Sequence, residues 1–307
     1  MKSARLISLT AAPLFLFSSV CLAQSGAPDV AKLQADADKG NADAQFQLAK
    51  DYTLGAGVAL NYEKATEYYQ KAAEQGNMKA ENNLASLYLQ GLGVPADPAQ
   101  AAKWFQKAAE AGSPLAQDNL GAMYRRGQGV KKDMDQAVNW YTKAADQGSL
   151  KAQNALAELY YFGDEGVPKD YAKTLKWAGM AANQGNAWAE NVMGTLYSNG
   201  FGIKLDQNQA FKWYSLAADQ GDAKAESNVA AYYLNGVGGA PKDPARAYMW
   251  LRLSDAQGEA SATNLLREAP KFMAPEDAIK GKQLLAEYRK THPSAAQPSA
   301  TPTAAPH

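Results

Sequence analysis

The sequence predicts an all-α protein built from stacked helical hairpins. A Gly, which is preceded by Gln or Ala in every copy after the first, recurs every 36 or 37 residues, and Gly-x-Gly triplets divide most of these periods in two. Small, apolar and aromatic residues also recur at spacings of four after each recurring Gly. A period of this length is typical of helical repeats, in which each hairpin covers the apolar face of its neighbour.

The first 23 residues are predicted to be a signal peptide rather than part of the fold. Lys2 and Arg5 precede an apolar stretch at 6–20, and the segment Cys21-Leu22-Ala23 has small residues at its first and third positions, as before a cleavage site. Cleavage after Ala23 removes the only Cys, so the mature chain is expected to hold no disulfide. Lipidation of Cys21 is the less favoured alternative.

Composition argues against several functions. Lys plus Arg equals Asp plus Glu, at 31 each, so we expect no basic surface for nucleic acid. No segment after the signal peptide is long and apolar enough to span a membrane. Both His residues lie in the Pro-, Ala-, Ser- and Thr-rich segment 291–307, which is predicted to be disordered. Without His or Cys in the repeats we expect no metal site, no cofactor and no catalytic residues, and hence no enzyme.

The recurring Gly residues divide the chain into units. Six full repeats are predicted at 40–75, 76–111, 112–147, 148–184, 185–220 and 221–257. A capping helix is predicted before them, at 24–39, and a capping half-repeat after them, at 258–290.

Each repeat is predicted to contain two helices. The buried face of the first has Ala four, Leu, Met or Val eight, and Tyr twelve residues after the recurring Gly, as in Ala44, Leu48 and Tyr52. An aromatic residue of the second helix is predicted to lie in the core; the six are Tyr68, Trp104, Trp140, Trp177, Trp213 and Trp250. Asn, Ser or Asp precedes each helix as its N-cap, and the recurring Gly ends the second helix.

The segment AQDNLGAMYRRGQGVKKDMDQAVNWYTKAADQG (116–148) resembles the Sel-one-like repeat family, relatives of the tetratricopeptide repeats. The resemblance covers residues 40–290 and implies an α-α superhelix, a solenoid of antiparallel helix hairpins. It also implies a non-enzymatic scaffold that binds proteins or peptides in the bacterial cell envelope, located in the periplasm or secreted. Two alternatives are a regulator or inhibitor of one envelope enzyme, such as a peptidoglycan-processing enzyme, and a hydrolase that uses carboxylates such as Asp118 and Glu158.

The resemblance further implies that the first helices line the binding face, with residues 3, 6, 10, 13 and 14 after the recurring Gly pointing inward. These positions vary between repeats, whereas the core positions hardly change. We expect a binding patch of aromatic, apolar and basic residues there, with three Asn side chains that hydrogen-bond a peptide backbone. The predicted site is Asn82, Leu115, Arg125, Arg126, Asn154, Tyr161, Phe162, Trp188 and Asn191. Alternatively, Trp188 packs against the preceding helix and the Asn residues are solvated.

Overall fold

A computed structural model describes residues 30–292. The predicted signal peptide and nearly all of the predicted tail lie outside this range. The described residues form fifteen α-helices and one short 3₁₀ helix, with no strand among them. The helices are α1 (Val30–Asp38), α2 (Ala42–Leu54), α3 (Tyr62–Glu74), α4 (Met78–Gln90), α5 (Pro98–Glu110), α6 (Pro114–Arg126), α7 (Met134–Asp146), α8 (Leu150–Phe162), α9 (Tyr171–Ala182), α10 (Ala187–Asn199), α11 (Gln207–Asp219), α12 (Ala223–Asn235), α13 (Pro244–Ala256), α14 (Ala260–Glu268) and α15 (Pro275–Thr291).

Helices α2 to α13 form six consecutive hairpins, which confirms the all-α repeat architecture. Their ends follow the predicted caps. The side chain of Asn41 accepts a hydrogen bond from the backbone N–H of Ala44, and that of Asn61 accepts one from Lys64. Gly76, just after the second helix of the first hairpin, has φ 80°, a conformation that glycine adopts without the strain of a side chain.

Within each hairpin, the second helix lies close to a small residue of the first. A Cβ atom at Gly121 would lie 2.9 Å from the ring of Tyr141, and one at Gly194 would lie 2.6 Å from Tyr214. The most buried aromatic residue of these second helices therefore comes one position after the predicted one. Trp213, at the predicted position, is only half-buried.

In α5 and α7, a Lys side chain lies over the ring of the predicted aromatic residue. Lys107 lies 4.2 Å from the ring centroid of Trp104, and Lys143 lies 3.9 Å from that of Trp140. Both Lys residues follow their Trp by three positions, which places them on the same face of the helix. Of the six predicted aromatic residues, Trp140, Trp177 and Trp250 are buried in the core, whereas Tyr68, Trp104 and Trp213 are half-buried at its boundary.

The Gly-x-Gly loops connect neighbouring repeats as well as the two helices of a hairpin. A Cβ atom at Gly93 would lie 2.2 Å from the carbonyl oxygen of Tyr62, at the start of α3. The same contact recurs between Gly129 and Pro98, at 2.1 Å. These two loops therefore pack against the backbone of the preceding repeat without room for a side chain.

Hydrogen bonds of Gln side chains link the two helices of a repeat and also tie that repeat to the helix before it. Gln75 Nε2 donates a 2.8 Å hydrogen bond to Gln45 Oε1, and Gln45 Nε2 donates a 3.0 Å bond to the carbonyl oxygen of Ala37. The corresponding bond from Gln147 to Gln117 is also 2.8 Å long. In the fifth and sixth repeats the acceptor is a Glu.

The two ends of the array are closed as expected, with one difference. At the front, Ala37 of α1 is 2% exposed and packs with Leu48. At the back, the predicted half-repeat contains two helices, α14 and α15, and both pack on α13. The ring centroids of Tyr288 and Trp250 lie 5.3 Å apart, so Tyr288 helps to cover the core.

Candidate functional site

Helices α2, α3 and α4, with the loop after α4, enclose an open groove of about 560 Å³, here called the N-terminal groove. The residues that line it are Phe46, Lys50, Thr53, Leu54, Tyr62, Tyr69, Lys79, Asn83, Ser86, Leu87, Gln90 and Leu92. Seven of them occupy the positions 3, 6, 10, 13 and 14 that were predicted to point inward. In the first two repeats these positions therefore share one surface.

The floor of the N-terminal groove is apolar. Tyr69 and Leu87 are almost completely buried beneath it, and the rings of Phe46 and Tyr69 lie 5.9 Å apart. Leu54 is 64% exposed at its edge. Apolar surface in a concave site, with a few polar groups around it, is the usual composition of a binding site.

The charges of the N-terminal groove have one sign. Lys50 and Lys79 are its only charged lining residues, and both are exposed. Within residues 30–292 neither forms an ion pair. The groove thus presents two ammonium groups, one on α2 and one on α4.

A second exposed apolar surface, here called the aromatic cluster, is formed by the C-terminal end of α8, the start of α9 and the loop after α10. Phe162 is 56% exposed, and its ring lies 4.8 Å from that of Tyr161. Tyr171 lies 6.2 Å from Tyr161 and stacks on Phe201 at 4.6 Å. Tyr161 and Phe162 were predicted site residues, whereas Tyr171 and Phe201 were missed. Phe201 could have been found as the only aromatic residue inside a Gly-x-Gly triplet.

The two predicted Arg residues have different environments. Arg125 lies 3.1 Å from Glu158 and 3.5 Å from Asp164, both in the next repeat. It therefore joins two repeats, and its predicted contact with a ligand stays a prediction. Arg126 is exposed.

The predicted Trp and Leu residues do not form one surface with the aromatic cluster. Trp188 is half-buried and packs against the core of α7 to α10, as its alternative interpretation predicts. Leu115 is 55% exposed at the start of α6, one repeat before Tyr161. Within the predicted patch, the ring contact lies between Tyr161 and Phe162.

Two of the three Asn residues are occupied within the chain. Asn82 is 6% exposed and donates a 2.8 Å hydrogen bond to Ser113 Oγ. Asn191 is 8% exposed and accepts a 3.2 Å bond from Asn228 Nδ2. This burial corrects the prediction that they bind a peptide backbone. Asn154 is half-buried, and its Oδ1 atom has no hydrogen-bond partner among the described residues.

The carboxylates considered for hydrolysis have structural roles. Asp118 is 3% exposed and accepts a 2.5 Å hydrogen bond from Ser149 Oγ, and burial raises its pKa. Glu158 pairs with Arg125. No group of three or more His, Cys, Asp or Glu residues that could hold a metal ion occurs between residues 30 and 292.

The repeats match a known family. The model of the Sel1 repeat matches residues 42–77, 79–113, 114–149, 150–186, 189–222 and 223–258. The chain belongs to the Sel1 repeat family. Sel1 repeat proteins generally mediate protein–protein interactions, and the family is typically non-catalytic.

Two solved structures are similar to this Sel1 repeat protein. One is a protective antigen of uropathogenic Escherichia coli with an SLR fold, at 34% identity and a TM-score of 0.73. The match covers 86% of this chain and 57% of the antigen, so this chain spans little more than half of that relative. The other is a Sel1 repeat protein from Oxalobacter formigenes, at 32% identity and a TM-score of 0.57, covering 72% of this chain and 90% of that one. Comparison with curated proteins gives no match.

None of the helices described between residues 30 and 292 has the length and apolar character needed to cross a membrane.

Proposed function

We propose that the protein is an exported, non-catalytic scaffold that binds protein or peptide partners in the bacterial cell envelope. The observation that supports this proposal best is the exposed apolar surface on the first helices and their loops. Leu54 and Phe162 are more than half exposed, although the helices that carry them are firmly packed. Apolar surface displayed on a rigid support is typical of a protein interaction site.

The aromatic cluster contributes a second contact surface at repeats 4 and 5. Its rings are partly exposed and already held by one another, so little conformational entropy is lost when a partner covers them. Aromatic residues of this kind often contribute most of the binding energy of an interface.

Capture of partners from envelope extracts tests the scaffold role. We expect the double substitution of Phe162→Ser and Phe201→Ser to reduce capture at least fivefold. Leu216→Ser is the matched control, because Leu216 is 49% exposed on α11, outside both surfaces. Several captured proteins indicate a scaffold, and a single enzyme indicates a dedicated regulator. If wild-type protein captures nothing specific, the binding function is wrong.

The export part of the proposal has its own test. Residues 1–23 have the charge and apolar pattern of a signal peptide, and we expect a mature chain that begins at Gln24. Fractionation of a bacterial host, followed by mass spectrometry of the N-terminus, measures this directly. A cytoplasmic chain that retains Met1 would contradict export without affecting the binding function.

A further inference from the structure

We propose that the N-terminal groove binds a peptide segment of a partner protein in which a bulky apolar residue lies between acidic residues. This inference rests on the proposed binding function and specifies the chemistry of one ligand. It uses the inner surface of repeats 1 and 2 rather than the aromatic cluster.

The apolar part of the ligand is inferred from the groove lining. Phe46, Leu54, Tyr62 and Leu92 surround a floor formed by Tyr69 and Leu87. The groove volume of about 560 Å³ exceeds what one large side chain fills, so a side chain and adjoining backbone both have room. Burying such a side chain in the groove removes its apolar surface from water and so favours binding.

The backbone of the ligand can be held by amide side chains. Asn83 and Gln90 line the groove from α4, and each carries both a donor and an acceptor. An extended peptide exposes N–H and C=O groups that need such partners when they leave water. Thr53 and Ser86 contribute less, because their hydroxyl groups already donate to the carbonyl oxygens of Ala49 and Asn82.

The acidic part of the ligand is inferred from charge complementarity. Lys50 on α2 and Lys79 on α4 stand on two different helices of the groove, and no carboxylate lines it. Asp43, in the neighbouring depression, accepts a 3.2 Å hydrogen bond from Asn77. A ligand with acidic residues before and after its apolar residue therefore has Lys50 and Lys79 as partners for its carboxylates. Such charge complementarity favours the encounter of the ligand with the groove and orients the ligand there.

Binding of synthetic peptides tests this inference. The probes are labelled heptapeptides, acetylated and amidated, with Glu and Asp on either side of a central Leu, Ile, Met, Phe, Tyr or Trp. The matched probes carry Gln and Asn instead. We expect the full chain to bind at least one acidic probe ten or more times more tightly than its neutral counterpart, with weaker binding at higher salt, as fluorescence anisotropy measures it.

Variants of the full chain then locate the site. Lys50→Glu combined with Lys79→Glu should weaken binding of the acidic probe at least tenfold, and Leu54→Ser should weaken both probes. Lys103→Glu, at an exposed position of α5 outside the groove, should leave affinity within twofold of wild type. These Lys residues form no ion pairs within residues 30–292, so we expect unchanged circular dichroism and melting curves for these charge variants.

The outcomes separate this inference from the proposed function. Equal affinity for acidic and neutral probes, absence of binding, or binding that survives both Lys substitutions overturns the inference. Self-association that the Lys substitutions abolish would make a second copy of the chain the occupant, which also overturns it. Envelope capture through the aromatic cluster can succeed in each of these cases, and the proposed function then stands.

Discussion

Gln257 Nε2 donates a 3.0 Å hydrogen bond to Glu226 Oε2, and this contact joins the end of α13 to α12 within the sixth repeat. Glu226 occupies the position that Gln holds in the first, third and fourth repeats. In the first repeat that Gln also donates to a backbone carbonyl eight residues earlier, which an ionised Glu cannot do. A protonated or amide side chain therefore suits this position better than a carboxylate.

Stability should depend on pH through Glu226. Burial, which leaves Glu226 only 2% exposed, raises its pKa to about 8; the bond from Gln257 opposes this shift and the nearby Asp222 adds to it. In the unfolded chain this group has its ordinary pKa near 4.5. Between these pH values the folded chain keeps a proton that the unfolded chain has lost. The free energy of unfolding should therefore fall as pH rises from 4.5 to 8.

Substitution of Glu226→Gln removes that dependence. We expect the variant to unfold at higher urea than wild type at pH 8, with a gain on the order of 2 kcal/mol. The gain should be much smaller at pH 4.5, where the folded wild type is protonated and the unfolded wild type is about half protonated. Glu287→Gln, at an exposed position of α15, is the control. An equal gain at both pH values would show that the carboxyl group does not cause the effect.

The Gly-x-Gly loops should tolerate substitution less well than the glycines that end the second helices. Gly129 has φ 71°, and an added Cβ would lie 2.1 Å from the carbonyl oxygen of Pro98. Gly148 has φ 90°, but nothing lies within 4 Å of its Cβ position. Both substitutions strain the backbone, and only the first also forces two repeats apart.

Urea denaturation of two variants measures this difference. Gly148→Ala should lower the free energy of unfolding by about 1 kcal/mol, the usual cost of left-handed backbone. Gly129→Ala should lower it by roughly 3 kcal/mol or more, because steric overlap adds to the strain. Similar losses for the two variants would mean that the loop moves away from Pro98 easily.

The pair of Arg125 and Glu158 should couple the third and fourth repeats only weakly. Glu158 has a side chain that is 47% exposed, so water and salt screen the charges. A double-mutant cycle with Arg125→Ala and Glu158→Ala should give a coupling energy of about 0.5 kcal/mol at low salt. The coupling should decrease in 1 M salt. A salt-independent coupling several times larger would indicate a buried interaction instead.

Local patterns in the sequence were sufficient to predict the buried face of each hairpin. Ala44, Leu48 and Tyr52 follow one another at four-residue spacing, and an α-helix brings such residues to one side whatever surrounds it. The predicted binding patch depended instead on contacts between repeats. Arg125 meets Glu158, and Asn82 meets Ser113, more than thirty residues away.

The pattern within one repeat does not show which of its polar side chains form hydrogen bonds with the neighbouring repeat. Two Asn residues that the periodicity placed on the inner face are for this reason buried between repeats. The N-terminal groove was recognisable only in part, since its residues were among the variable inward positions but its shape depends on how α2 and α4 stand beside α3.

Trp188 and Phe162 should respond differently to substitution, because one packs on the core and the other faces solvent. Trp188→Ala should lower the free energy of unfolding by roughly 1 to 3 kcal/mol, since it removes a half-buried ring. Phe162→Ala should change it by less than about 0.5 kcal/mol, as expected for a surface position. Denaturation in urea and partner capture are measured on the same preparations. We expect Phe162→Ala to reduce capture while its stability is kept. Full capture by Phe162→Ala, together with loss of capture by a stably folded Trp188→Ala, would place the binding surface around Trp188 instead.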